Sequence, residues 1–248
     1  MPDIALILPA AGRSTRFGDP TQKKIYADLD GRAVWLRAVE PFQNRDDITR
    51  IILAIHPEDR EMFERRYQAN VAFLGITVID GGAERHDTVA AALTHLDDTC
   101  EYVAIHDAAR PCVRAETIDE LIAAARAHGA AIPAVAVADT LKRGDADGNV
   151  VETVSRAGLY QVQTPQIFRR SWLEAAYANR SKLAISITDD AQLVEAVGYR
   201  VKLVTGSAMN IKITTAGDLA LASAILRALP NANRPGPAHP FASEDRMW

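Results

Sequence analysis

Residues 9–17 read PAAGRSTRF, placing two alanines and Gly12 beside Arg13 and Arg16, with the hydroxyls of Ser14 and Thr15 between them. Small residues let a backbone come close to a ligand, its N–H groups can face an anion, and arginines add fixed positive charge. Lys23 and Lys24 follow shortly afterwards. Adjacent lysines are ordinarily a solvated surface. Next to Arg13 and Arg16 they supply what phosphoryl chemistry needs, several cations around one anion. The stretch points to a nucleoside triphosphate site, with a plain tight turn as the alternative from this loop alone. G-x-G-x-x-G and a Gly-Lys-Ser/Thr phosphate loop are both absent.

Further along, DGGAERHDTV at 80–89 joins a turn signal, Asp80-Gly81-Gly82, to a helix start that Asp87 or Thr88 could cap. As a functional loop, its glycine backbone would meet a flat base; otherwise it is a strand-to-helix connection. IHDAARP at 105–111 ends an apolar run in His106 and Asp107. An acid there, beside a nucleotide, suits a divalent metal or a ribose hydroxyl. His106 is read as a structural hydrogen-bonding group. TDDA at 188–191 has Thr188 as a helix cap, with Asp189 and Asp190 as first-turn acids. NIKITTAGD at 210–218 sets Lys212 in a short strand, before a capping-box-like Thr215-x-x-Asp218.

The elements that must hold these loops alternate. Strands are predicted over 4–8, 50–55, 75–79, 101–105, 131–137 and 200–205, with Pro9 ending the first. Helical spacing joins Val89, Ala92, Leu93 and Leu96, then Ile118, Leu121, Ile122 and Ala125. A β-α-β-α order argues an α/β fold with a mostly parallel sheet, helices on both faces, and ligands at the carboxyl ends of the strands. Residues 139–168 carry no helical period. Asp147-Gly148 between 140–143 and 150–156 signals a hairpin with Thr140 and Arg156 on its legs. Such an arm has too little apolar area to stand alone, and a second subunit is the economical support. Leu219, Ala222, Leu226 and Leu229 form a last helical stripe, and after Pro230 the Pro-rich stretch 231–248 reads as disordered.

The 248 residues carry a net charge of −4 and two cysteines. That balance argues against nucleic acid as a main partner, and two cysteines are too few for a disulfide framework or a structural zinc site. No 18-residue apolar run is present, so a soluble, cytoplasmic chain without membrane partners is expected.

Assembled in order, PAAG at 9–12 with Arg16, the lysine before Tyr26, DGGAER, HDAARP, ADT at 138–140, QTPQIF at 163–168, TDDA and NIKIT resemble the 2-C-methyl-D-erythritol 4-phosphate cytidylyltransferases over roughly residues 3–228. The resemblance implies a single Rossmann-like nucleotidyltransferase domain over 1–230, with a protruding β-arm that builds a homodimer. Arg16 and Lys24 would stabilise charge at the CTP phosphates. Arg156 and Lys212 would position the polyol phosphate, helped by Thr140 and Thr188. Pro9, Ala10, Ala11 and Gly12, with Gly82 and Thr88, would line the nucleotide, while Asp107 and Ala108 would lie by the ribose and a Mg²⁺. The family usually carries a second glycine where Ser14 stands, and one extra residue separates Arg16 from the lysine; counting back from Tyr26 selects Lys24, counting forward from Arg16 selects Lys23.

The residue types suit that chemistry. A phosphate monoester already bears about −1.5 to −2 charge at neutral pH and needs no base to attack a phosphoryl centre. What it needs is alignment and neutralisation of the leaving pyrophosphate. Rival readings are a ribitol-5-phosphate cytidylyltransferase on the same scaffold, a glycosyltransferase using Asp145-Ala146-Asp147, and a non-catalytic nucleotide-binding protein.

Overall fold

The computed structural model describes residues 3–15, 17, 23–183 and 187–229. Arg16 and the stretch 231–248 therefore lie outside the described residues. In chain order the elements begin with β1 (Asp3–Ala10), a small hairpin of β2 (Asp28–Leu29) and β3 (Arg32–Ala33), α1 (Val34–Val39), β4 (Ile48–Ile55) and α2 (Arg60–Leu74). Next come β5 (Ile76–Asp80), α3 (Arg85–Leu93), β6 (Cys100–Ile105), α4 (Ala115–His128) and β7 (Ala130–Ala136). The arm is β8 (Leu141–Gly144) and β9 (Val150–Val154); β10 (Tyr160–Val162) and β11 (Gln166–Arg169) follow. The chain closes with α5 (Arg170–Asn179), α6 (Asp190–Ala196), β12 (Lys202–Thr205) and α7 (Gly217–Ala228).

One eight-stranded sheet runs β10-β7-β11-β6-β1-β4-β5, with β12 also on β7. β1, β4, β5 and β6 are mutually parallel, as are β7 and β12, and β11 lies antiparallel between β6 and β7. Alternation along β1 explains the two layers. Ile4, Leu6 and Leu8 face a cluster with Trp35, Phe63, Tyr67 and Leu121, while Ala5 and Ile7 face one with Val89, Leu93, Leu173 and Val194. The helical stripes read from the sequence are the buried sides of α3 and α4, except that α3 ends at Leu93 and Leu96 is buried in the turn beyond it. A third cluster sets Ala222 of α7 on Phe17, Leu29 and Val34, bringing the end of the chain back over its beginning.

Four expectations change. Residues 210–214 form no strand, so Lys212 sits in the loop between β12 and α7. Pro9 lies inside β1, paired with Ala54 of β4; its missing N–H falls on the β6 side, where pairing has already stopped at Ile7. The stretch 139–168 is not one arm, because β10 pairs with β7 and β11 with both β6 and β7. Only β8 and β9 leave the sheet, pairing with each other around Asp145, which accepts from the backbone N–H of Asp147 and Asn149. Those bonds make Asp145 a turn residue, and the Asp-x-Asp pattern is a hairpin tip. Finally, α3 begins at Arg85, so neither Asp87 nor Thr88 is its cap.

Candidate active site

Parallel strands deliver their carboxyl ends to one edge, and three loops meet there. The end of β1 and the loop after it supply Pro9 to Gly12, the loop after β5 supplies Gly81 and Gly82, and the one after β6 supplies His106, Asp107 and Ala108. They enclose a cleft of about 200 Å³. Pro9, Ala10, Ala11, Gly12, Gly82, Thr88, Asp107 and Ala108 line it. Lys24 and Lys212 complete it.

Close packing sets the shape of this cleft. A Cβ on Gly81 would stand 2.4 Å from Cβ of Ala11, and one on Gly82 would stand 2.4 Å from Cβ of Asp87. Thr88 is buried; its hydroxyl accepts from Gly82 N at 3.1 Å and donates to Glu84 O at 3.1 Å, tying the glycine loop to α3. Gly81→Ala is expected to cost about 1–3 kcal/mol, the usual penalty of overpacking, read from urea unfolding midpoints. A variant as stable as the parent would show that the Ala11 loop has room to retreat.

Ser14, at φ 56°, occupies the left-handed region that a glycine would adopt freely. Its hydroxyl accepts from Lys24 N at 3.2 Å, so the side chain that makes the turn harder to form also anchors the lysine segment. The two lysines part there. Lys23 Nζ is 2.7 Å from Asp59 Oδ1, an acid that also accepts from the Tyr26 hydroxyl at 3.1 Å. Lys24, in a single 3₁₀ turn Lys24–Tyr26, lines the cleft.

Asp107 is the hub of a cation cluster: its oxygens lie 2.8 Å from Lys212 Nζ, 3.4 Å from Arg85 Nε and 3.5 Å from Arg110 Nε. Burial opposes its charge, but Lys212, Arg85 and Arg110 outweigh that and hold its carboxyl well below the usual carboxylate range. A dedicated metal cage does not fit. Among the described residues no group of three acids, histidines or cysteines is placed to hold an ion, and the oxygens of Asp107 already face three cations. The Lys212 side chain keeps 36% exposure, so its charge stays open to a ligand.

A second, more open cleft of about 550 Å³ adjoins the first, and Arg85, Asp107 and Lys212 line both. Thr188, Gln163, Thr164 and Gln166 belong to this second cleft. The segment QTPQIF is what draws the distant motifs together. Gln163 Nε2 donates to Ser207 O at 2.8 Å, and Thr164 O accepts from Asn210 Nδ2 at 2.9 Å, fixing the loop that carries Lys212. Asp107 N donates to Thr164 Oγ1 at 3.0 Å. Gln166 Nε2 donates to Asp189 Oδ2 at 2.9 Å and its Oε1 accepts from Ala191 N at 3.2 Å, fixing TDDA. The Thr164–Pro165 peptide is cis.

His106 completes this scaffold. It is fully buried, with Nε2 3.0 Å from Arg110 O and Nδ1 3.1 Å from Thr164 Oγ1. Since Thr164 Oγ1 accepts from Asp107 N, its proton goes to Nδ1, and a neutral imidazole donating from Nε2 satisfies every partner. Burial pulls that imidazole down to about 4, in keeping with a structural role.

The structure does not gather all the residues read from the sequence. Arg156 and Thr140 are exposed at the ends of the β8–β9 arm and line neither cleft of their own chain. Thr188 is not the cap of α6; Asp189 is, accepting from Gln192 N at 3.0 Å. Asp190 is more than a dipole-friendly acid, being buried against Tyr177 and Arg85. Arg85, Arg110, Thr164 and Asp190 went unassigned because each is ordinary in its local segment. The signal that could have found Arg85 is a cation at the first position of a helix, where the dipole favours an anion.

Comparison with known proteins follows the same lines. A family model described as 2-C-methyl-D-erythritol 4-phosphate cytidylyltransferase matches residues 4–228. A protein of that name from Rhodopirellula baltica is 43% identical, covering 90% of this chain and 94% of its own length. One from Frankia casuarinae is 45% identical over 91% and 82%. The crystal structure of a 2-C-methyl-D-erythritol 4-phosphate cytidylyltransferase from Thermus thermophilus superposes with a TM-score of 0.75 at 33% identity, covering 92% of this chain and all of the other. That from Francisella tularensis gives 0.77 at 30% identity, covering 90% and 99%.

Proposed function

The chain belongs to the 2-C-methyl-D-erythritol 4-phosphate cytidylyltransferase family, and from that premise we propose how its two clefts divide the work. The enzyme is a nucleotidyltransferase of non-mevalonate isoprenoid biosynthesis. It transfers CMP from CTP to 2-C-methyl-D-erythritol 4-phosphate, releasing pyrophosphate and forming 4-diphosphocytidyl-2-C-methyl-D-erythritol. The smaller cleft takes CTP, its base and ribose against the Ala10–Gly12 and Gly82–Thr88 walls. The larger cleft takes the polyol phosphate, beside Thr188. One observation carries this division: two clefts of different character share a wall of Lys212, Asp107 and Arg85, where a reacting phosphoryl group would have to sit.

In this reading no general base is needed, because the attacking phosphate is already ionised. Lys24 and Arg16 neutralise charge on the departing pyrophosphate, and Lys212, oriented by Asp107, steers the attacking phosphate. Magnesium travels with the nucleotide, whose phosphate oxygens suit it, rather than in a protein cage. Arg156 and Thr140 reach the polyol phosphate from a second subunit. Val150 and Val151 on the arm are 65% and 61% exposed, and Tyr160 and Leu203 add apolar surface nearby in the sheet. An uncovered arm of that kind is what an isologous dimer would bury. No helix among the described residues is long and apolar enough to cross a membrane, Cys100 and Cys112 are buried free thiols, and we place the reaction in the cytoplasm.

The test is pyrophosphate release. Activity is expected with CTP and 2-C-methyl-D-erythritol 4-phosphate, abolished by EDTA and restored by Mg²⁺. Full activity in EDTA, or a preference for UTP or for ribitol 5-phosphate, would overturn the assignment.

A further inference from the structure

Arg85 occupies a position that local rules disfavour. It opens α3, where the helix dipole repels a cation, yet it is held there by two acids. Its Nη1 lies 2.7 Å from Asp190 Oδ2 and its Nε 3.4 Å from Asp107 Oδ1. Asp190 is 1% exposed, and its other oxygen accepts from the Tyr177 hydroxyl at 2.5 Å. Burial, with the charge of Asp190, pushes the Tyr177 hydroxyl well up, so it stays a donor. Burial also opposes the Arg85 charge, but Asp190 and Asp107 more than offset it. A buried ion pair of this kind is weak support for stability, since apolar residues of equal volume often serve as well. A site that keeps one has another use for it.

That use follows from place. Transfer between ligands in two clefts occurs where the clefts meet, and Arg85, Asp107 and Lys212 are the described residues lining both. Of these, Asp107 repels phosphate and Lys212 already has its role. A guanidinium carries five N–H donors in a planar fork, so after its two acids it still has donors for a phosphate oxygen. We propose that Tyr177 and Asp190 clamp Arg85 as a fixed cation at the junction of the two clefts, where Arg85 is a further catalytic residue at the transferred phosphoryl group and the other two are its positioning residues. This rests on the division of the clefts given above.

The experiment measures kcat, both KM values, CTP affinity by calorimetry and melting temperature. Wild-type protein inactive with CTP and 2-C-methyl-D-erythritol 4-phosphate would sink the cleft assignment, whatever Arg85 does. With active wild type, Arg85→Met should lower kcat by about 10²–10³, the range for loss of one preorganised donor. Arg85→Lys should recover about tenfold of that loss, the charge returning without the fork. Tyr177→Phe should lower kcat by roughly three- to tenfold with both KM values nearly unchanged, and should cost nothing further in the Arg85→Met background, because coupled residues are not additive. A folded Arg85→Met protein with near-wild-type kcat would overturn the proposal. If Arg85→Met does not fold, Tyr177→Phe decides: a lower melting temperature with unchanged kcat leaves the clamp merely structural.

Discussion

Mixed dimers of Lys24→Ala and Arg156→Ala subunits are expected to recover about half the wild-type activity, although each parent alone is nearly inactive. The figure comes from counting sites in a two-fold assembly. If Arg156 serves the neighbouring subunit, a mixed dimer has one site with both defects and one with neither. The structure motivates this: Lys24 and Lys212 line a cleft of the main sheet, whereas Arg156 stands exposed beyond β9 and lines neither of the two clefts described above. The arm pairs only with itself and exposes Val150 and Val151. Co-expression with two affinity tags isolates the mixed species. Purified mixed dimers as inactive as their parents, or a monomer in solution, would end the idea.

Lys24→Ala should lower kcat by about 10²–10³, and Lys23→Ala far less, on the scale of one donor aimed at developing charge. The two neighbours differ in where they point. Lys23 is tied to Asp59 at 2.7 Å, and both side chains are largely buried, so its loss falls on stability, by about 1–3 kcal/mol for leaving a buried acid without its cation. Lys24 lines the smaller cleft, with its backbone N–H on the Ser14 hydroxyl. Steady-state kinetics and melting temperatures on both variants separate the effects. The reverse ranking would move the assignment to Lys23.

Much of the architecture is local information and was legible as such. Apolar runs predicted six of the main-sheet strands to within two residues at either end. For β1, β6 and most of β4 and β7 the reason is that a strand buried on both faces must be apolar along its length, whereas β12 is mostly exposed. The stripes Val89–Leu96 and Ile118–Ala125 are buried for the same kind of reason. Small residues at 9–12 and 81–82 signalled a close approach; the structure puts 9–12 and Gly82 in the lining of one cleft and packs Gly81 against Ala11.

What the tertiary structure alone decided concerns residues whose partners are distant in sequence. β11 is four residues long and antiparallel, too short to show a period, and is specified by the strands on either side of it. Asp190 carries the same letters as an ordinary first-turn acid; only the packing of α5 and α3 against it makes it a buried partner for Tyr177 and Arg85. Thr164 reaches back 57 residues to Asp107, and Gln163 forward 44 to Ser207. By itself, then, the sequence determined which loops could meet an anion, since backbone freedom and charge are properties of a segment. How those loops share one wall, and which cations line it, depended on long-range hydrogen bonds and ion pairs that no segment contains.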